Sequence, residues 1–358
     1  MKKISIIGTG YVGLISGVCF AEIGHKVICV DVDKNKVEKI NKKTAPIYEK
    51  GLDELLDKHV GENLFSTTDL HSAVLETDYT FIAVGTPYED DYIDLSYIKN
   101  ATKQIALAIK EKKEFHTVIV KSTVVPNTTI EVVKPIIEKF SGKKLNLDFG
   151  LAMNPEFLRE GVAINDFMNP DRIVIGGCSE HTSKMVKSLY DFYFKNDYLL
   201  TDPTTAEMIK YTSNSLFATS ISFANEISNL CLEIGVDNTE VEKGVHLDSR
   251  ISPIINGKRV YPALTGYLQA GAGFGGSCFP KDVKALLEYS KIVDSNSLIL
   301  DSVIKSNNLQ PYFIEEVLNS NIDLKDRKKI LILGTSFKPE TDDIRESSSI
   351  KIVEICST

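Results

Sequence analysis

The chain has 358 residues, room for two or three domains at about 150 residues each. Hydrophobic residues make up 43% and charged residues 25%, ordinary for a soluble globular protein, and the net charge of −8 argues against nonspecific binding of nucleic acid or an anionic membrane. No apolar run reaches the ~18 residues of a membrane span, Met1-Lys2-Lys3 leads straight into a strand and not a signal peptide, and the six cysteines are scattered as expected of reduced cytoplasmic thiols.

The first strand is Ile4-Ser-Ile-Ile, followed by Gly8-Thr-Gly10-Tyr11-Val12-Gly13 and a helix that Gly24 stops. A second strand, Lys26–Val30, ends at Asp31. This βαβ unit carries Gly-x-Gly-x-x-Gly in its first turn. The glycines allow a tight turn and close approach of a pyrophosphate to the helix N-terminus, and the acid can hold a ribose diol. Asp31 would repel a 2′-phosphate, so NAD is expected over NADP. Lys36 stands near enough in sequence to reach the same ribose.

Helices are expected over 34–42, 52–60, 95–111, 128–140 and 180–195, and strands over Thr80–Val84, Thr117–Lys121, Phe149–Met153 and near Ile173. Ligands gather beyond the carboxyl ends of strands in open α/β sheets, which places Thr86 and Thr123 where a cofactor and a substrate meet. After the third of these strands comes Asn154-Pro155-Glu156-Phe157-Leu158-Arg159-Glu160-Gly161. Glu156 and Glu160 are four apart. They are either two solvated surface acids or a pair on one face, in which like charge raises one carboxyl toward general-base duty.

A long helix is expected from Thr204 to Ile234, with Thr204 and Glu207 as a capping box and with Lys210 and Asn214 on one face. Shorter helices follow near 238–246, 282–293 and 296–319, then a strand at Lys328–Gly334 and a helix from about Ser347. Between them lies Gly271-Ala-Gly-Phe-Gly275-Gly-Ser-Cys278-Phe-Pro-Lys281-Asp282, four glycines in six residues ending on a cysteine just before a helix. A lone cysteine is most often a small buried hydrophobe. Here the glycines, the helix start and the Lys281–Asp282 pair favour a nucleophilic thiolate. The isolated histidines and cysteines give no metal site.

These motifs, with Lys121-Ser-Thr-Val, Lys210-Tyr-Thr-Ser-Asn214, Leu247-Asp-Ser-Arg250 and Asp342-Asp-Ile-Arg345-Glu-Ser, run through the whole chain and resemble the UDP-glucose 6-dehydrogenases, within the wider nucleotide-sugar dehydrogenases. The resemblance implies an α/β fold: a Rossmann-like NAD domain over 1–200, a central helical dimerisation and catalytic domain over 201–310, and the start of a UDP-binding α/β domain over 311–358, incomplete within this chain. It implies four-electron oxidation of UDP-glucose to UDP-glucuronate for polysaccharide synthesis, by a cytoplasmic homodimer. Cys278 is then the nucleophile, Lys210 and Asn214 the oxyanion donors, Asp282 the orienter of Lys210 and water, Glu156 the base for thioester hydrolysis and Thr123 a further positioner of water. Cofactor contacts are implied for the glycine turn, Asp31, Lys36, Thr86, Thr123, Glu160, Lys281 and Arg345. Sugar-nucleotide contacts are implied for Pro155–Glu160, Lys210, Asn214, Arg250, Tyr267, Leu268, Gln269, Ala270, Gly271, Gly275 and Lys338, with Arg250 reaching across the dimer. The stretch 252–265 reads as an insertion against the family pattern, and Gln269 stands where some members carry Lys. The alternatives are the same chemistry on UDP-N-acetylmannosamine or GDP-mannose, and an inactive NAD-binding or dimerisation module.

Overall fold

Short apolar runs closed by glycine or polar turns build the first unit, Met1–Lys210. In order come β1 (Lys3–Ile7), α1 (Tyr11–Glu22), β2 (Lys26–Val30), α2 (Lys34–Asn41), α3 (Leu52–His59), β3 (Leu64–Thr67), α4 (Leu70–Glu76), β4 (Tyr79–Ile82), a small antiparallel pair β5 (Tyr88–Glu89) and β6 (Tyr92–Ile93), α5 (Ser96–Glu111) and β7 (His116–Val120). A π-helical turn, Thr129–Val133, leads into α6 (Lys134–Ser141). Then follow β8 (Phe149–Met153), α7 (Ala163–Met168), β9 (Arg172–Gly177), α8 (Glu180–Lys187), β10 (Asp197–Thr201) and the start of the long α9 (Pro203–Glu233). The computed structural model describes residues 1–89, 92–190, 197–321 and 329–357.

One eight-stranded sheet has the order β10-β9-β8-β7-β4-β1-β2-β3, with all neighbours parallel except β8 and β9. Its central strands are buried on both faces, which is why they read as continuous apolar runs. Alternate side chains feed two cores: Ile4, Ile6 and Phe81 join the cluster around α1, and Ile7 and Ile82 join the cluster around α5. Phe20 anchors the first of these, its ring 5.1–5.3 Å from those of Phe81, Phe167 and Tyr190. The carboxyl ends of β1, β4, β7 and β8 share one edge, because Ile7 pairs with Ile82, Ile82 with Val120 and Val120 with Met153. Beyond that edge lie the glycine turn, Gly85-Thr86, Lys121–Thr123 and Asn154–Glu156. The strand order reverses beside β1, so a crevice opens at this edge.

The second unit, Tyr211–Thr358, holds the rest of α9, α10 (Asn238–His246), a hairpin of β11 (Ile254–Ile255) and β12 (Lys258–Arg259), a 3₁₀ segment Ala263–Leu268, α11 (Phe279–Ile292), α12 (Leu298–Asn321) and α13 (Ser348–Cys356). Ala218, Phe274, Val283 and Val303 form its buried apolar centre. Pro311 lies inside α12 and is buried there with Asn307 and Gln310. No helix among the described residues is long and apolar enough to cross a membrane.

Several sequence expectations change. The stretch 252–265 contains a short hairpin and the opening of the 3₁₀ segment. The helix expected over 180–195 ends at Lys187, and residues 191–196 of that stretch lie outside the described residues. The strand expected at 328–334 does not form over 329–334, and Lys328 itself lies outside the described residues. A strand needs a neighbour to take its ladder, and none of the described strands pairs with this segment. The capping box at Thr204 and Glu207 is also absent. Pro203 is the first helical residue, and Asp202 receives the Thr205 N–H at 2.9 Å and its hydroxyl at 2.6 Å. Glu207 instead takes the N–H of Thr129 at 2.8 Å and its hydroxyl at 2.6 Å.

Glu207 is fully buried, and burial pushes its carboxyl up to about 7 in spite of the Thr129 hydrogen bonds. A raised carboxyl binds more protons in the folded than in the unfolded state between its ordinary 4.5 and about 7. Its contribution to stability is therefore greatest below pH 4.5 and declines as pH rises through 7. Glu207→Gln should flatten this trend: relative to the unaltered chain, the variant gains up to about 3 kcal/mol between pH 4.5 and 8 in urea titrations.

Candidate functional site

The expected residues fall into two groups, one in each compact unit. In the first, the glycine turn has the shape a dinucleotide requires. A side chain at Gly13 would bring its Cβ to 1.9 Å from the Gly8 carbonyl oxygen, and Gly8 has φ +101°. At Gly10, by contrast, a Cβ would meet nothing within 4 Å, so the N-terminus of α1 faces open space. Close packing behind and open space in front leave room for a pyrophosphate on the first N–H groups of α1. Val12 is half-buried behind that face.

Asp31, at the end of β2, accepts from the Thr9 N–H at 2.8 Å, the Thr9 hydroxyl at 2.6 Å and the Asp33 N–H at 2.9 Å, with the Lys36 ammonium at 3.9 Å. Burial works against its charge, but the hydrogen bonds and Lys36 outweigh burial and hold the carboxyl below its ordinary range. Asp31 therefore stays ionised, with its hydrogen bonds holding it in place. Thr9, which fixes its rotamer, carried no signal beyond being a spacer between glycines.

Along the same edge, the Thr86 hydroxyl donates to the Thr123 carbonyl at 2.8 Å, tying the β4 and β7 turns together. A cavity of about 200 Å³ opens beyond β8, lined in part by Lys121, Asn154, Glu156, Arg159, Arg172 and Tyr190. Glu156 is buried and receives the Leu158 N–H at 2.7 Å and the Lys210 ammonium at 3.0 Å. Lys121 is buried too and donates to Asn154 Oδ1 at 3.1 Å, which also accepts the Tyr190 hydroxyl at 2.7 Å. Burial pushes Lys121 down to about 8, against the pull of Glu156. Phe157 lies under the Arg172 guanidinium at 4.0 Å, while Arg159 is tied to Asp166 at 2.7 Å. Pro155 lines the cavity with them, Leu158 packs on the core, and Glu160 is half-buried. Of the sequence alternatives for Glu156, the solvated surface acid is excluded by its burial.

In the second unit, Cys278 is the residue immediately before α11, with the Asp282 N–H on its carbonyl at 2.9 Å. Asp282 is buried and accepts from Asn214 Nδ2 and the Lys281 ammonium, each at 2.6 Å. Side-chain amides hold the glycine-rich turn before Cys278. Asn307 accepts the Phe274 N–H at 2.7 Å and donates to its carbonyl at 3.0 Å. Gln310 donates to the Gly271 carbonyl at 2.9 Å, and Asn225 accepts the Gly271 N–H at 2.7 Å. A Cβ at Gly275 would stand 2.2 Å from the Glu346 carbonyl oxygen, and one at Gly276 would strike the Phe337 ring at 2.7 Å. Tyr267 stacks on Phe217 at 4.4 Å, and both rings approach Phe279, the first residue of α11. Leu268 ends the 3₁₀ segment, Gln269 follows it, and the Ala270 N–H is held by Glu242 at 2.8 Å. Arg250 pairs with Asp248 at 2.6 Å, Arg345 with Asp343 at 2.7 Å, and Lys338 lies over the Phe337 ring at 5.6 Å. The three amides were invisible to sequence reasoning, since their partners are 33–46 residues away.

Residues 2–193 match the model of the UDP-glucose/GDP-mannose dehydrogenase NAD-binding domain, and residues 204–309 match that family's central domain. The chain belongs to the UDP-glucose/GDP-mannose dehydrogenase family. It is 40% identical to the UDP-glucose 6-dehydrogenase AglM of Haloferax volcanii, over 98% of this chain and 80% of that protein. It is 41% identical to the GDP-mannose 6-dehydrogenase of Pseudomonas aeruginosa, over 99% of this chain and 78% of that one. A UDP-glucose dehydrogenase structure from Pyrobaculum islandicum superposes with a TM-score of 0.90 at 36% identity, covering 100% of this chain and 79% of its own. The protein is thus an NAD-dependent sugar-nucleotide dehydrogenase, and the glycine turn with Asp31 fits the cofactor of the family.

Asp31→Ala should weaken NADH binding about ten- to a hundredfold, as expected for losing a charge-assisted hydrogen bond, and narrow the gap between NADH and NADPH in fluorescence titrations.

Proposed function

We propose that this enzyme oxidises UDP-glucose to UDP-glucuronate in two successive steps through Cys278. The observation that carries the reading is the thiol's position: Cys278 directly precedes α11, on a glycine turn braced by Asn307, Gln310, Asn225, Glu346 and Phe337. Free N–H groups at a helix start favour a thiolate, and bracing from three sides holds it still.

NAD bound at the glycine turn supplies the hydride acceptor. In the first step the C6 alcohol loses a hydride and a proton and becomes an aldehyde. The Cys278 thiolate then adds to that carbon, forming a C–S bond and a tetrahedral oxyanion. Only the tetrahedral adduct gives up a second hydride readily, to a second NAD exchanged for the first NADH, and its loss leaves a thioester. Water attacks the thioester carbon, the C–S bond breaks, and Cys278 is released as thiolate beside a carboxylate product. Asn214 and Lys210 are the donors to the oxyanion in this reading. Asp282, which accepts from Asn214 and Lys281, orients Asn214 directly, and in this reading it also orients Lys210 and water. Glu156 serves as base for the hydrolytic water, which Thr123 positions, and it must first exchange its Lys210 partner for that water. The sugar nucleotide is taken by the Pro155–Glu160 turn, Tyr267–Gly271, Gly275 and Lys338. Glu160, Lys281 and Arg345 complete the cofactor contacts. We assign the domains to 1–200, 201–310 and 311–358, and the working form to a cytoplasmic homodimer in which Arg250 reaches the partner's substrate.

GDP-mannose is the second reading, favoured by the 41% identity to the Pseudomonas aeruginosa enzyme. The wording around Cys278 favours UDP-glucose over UDP-N-acetylmannosamine. Turnover should yield two NADH per UDP-glucose consumed, and Cys278→Ser should abolish steady-state NADH formation while leaving NADH binding within about twofold. One NADH per sugar would sink the thioester, and turnover of GDP-mannose alone would move the substrate. Silence on both sugars, and on UDP-N-acetylmannosamine, would leave a binding module.

A further inference from the structure

Glu49 lies in the loop before α3, outside every motif that marked the site. It is 6% exposed. One carboxylate oxygen accepts the Ala163 N–H at 2.7 Å, and the other accepts the Gly161 N–H at 2.8 Å and the Tyr11 hydroxyl. The Tyr11 oxygen in turn receives the Gly161 N–H at 3.1 Å. Burial and Glu49 push the Tyr11 hydroxyl well above its ordinary range, so it remains a neutral donor.

The partners come from two different places. Tyr11 directly follows Gly10 in the dinucleotide turn and is the first residue of α1. Gly161 closes the turn that carries Glu156 and Glu160, and it has φ +87°, a conformation other residues reach only with strain. Ala163 is the first residue of α7. A buried carboxylate is costly unless its oxygens are filled, so these three bonds form or break as a set. A shift of α1's first turn on cofactor binding is therefore felt at Gly161, and a shift of the Pro155–Gly161 turn is felt at Tyr11.

We propose that Glu49 is a positioning residue that couples the dinucleotide turn to the sugar-nucleotide turn, so that occupancy of one site alters affinity at the other. This rests on the reading that the Pro155–Glu160 turn meets the sugar nucleotide. Coupling of this kind is reciprocal and is measured as a ratio of affinities, independent of how tightly either ligand binds alone.

The test is NADH titration by fluorescence, with and without saturating UDP-glucose or GDP-mannose, a pairing that does not turn over. In the unaltered enzyme, the sugar nucleotide should change NADH affinity about fivefold or more. Tyr11→Phe removes one oxygen and should bring that ratio to within about twofold of unity, whatever becomes of the single affinities. Glu49→Gln presents an amide N–H₂ toward a backbone N–H; it should lose the ratio as well and weaken sugar-nucleotide binding about tenfold. If Glu49→Gln does not fold, Tyr11→Phe alone decides. A wild-type ratio retained in Tyr11→Phe overturns the proposal. Independent binding of both ligands to the unaltered enzyme overturns it and leaves the reaction standing. Binding of NADH with no binding of either sugar nucleotide overturns both.

Discussion

A turn that a ligand must approach closely has no strand or helix to absorb its backbone N–H groups, yet a buried N–H left without an acceptor is costly. In this enzyme distant side chains take that load. Asp31 holds the Thr9 and Asp33 N–H groups, Glu49 holds Gly161 and Ala163, and Glu207 holds Thr129. In the second unit the amides of Asn307 and Asn225 accept and that of Gln310 donates, and the Glu242 carboxylate holds Ala270.

The Lys210–Glu156 pair illustrates a second constraint. Two lysines and one glutamate are buried close together, and Lys121 responds to burial by releasing its proton at about pH 8. By linkage, any anion held beside it raises the affinity of Lys121 for a proton. The cost of burying such a cluster is offset only by hydrogen bonds as complete as those from Asn154 and Leu158.

What was legible in the sequence was local. The glycine turn, Asp31, the long helix and the cysteine at a helix start all depend on neighbours within a turn or a βαβ unit, and periodicity reports such neighbours. Glu207 shows the limit: an acid three residues after a threonine fits a capping box, but Pro203 had already set the helix start one residue earlier and freed the acid for Thr129. Glu49 was silent because its partners lie more than 100 residues away along the chain, apart from Tyr11. β3 and β10 escaped notice because sheet edges are only partly buried and their polar, interrupted sequences lack the apolar runs of the centre. The segment 329–334 has such a run, but a run alone is no strand without a neighbour to pair with.

Pro311 gives α12 an unusual mechanical property. A proline inside a helix cannot donate to the carbonyl four residues back, and here that residue is Asn307, whose side chain grips Phe274. The helix ladder is therefore interrupted at the very turn that holds the glycine-rich segment before Cys278. The two halves of α12 are therefore joined by one backbone hydrogen bond fewer, and the amides that clamp the glycine-rich turn, Asn307 and Gln310, both sit on the half before Pro311.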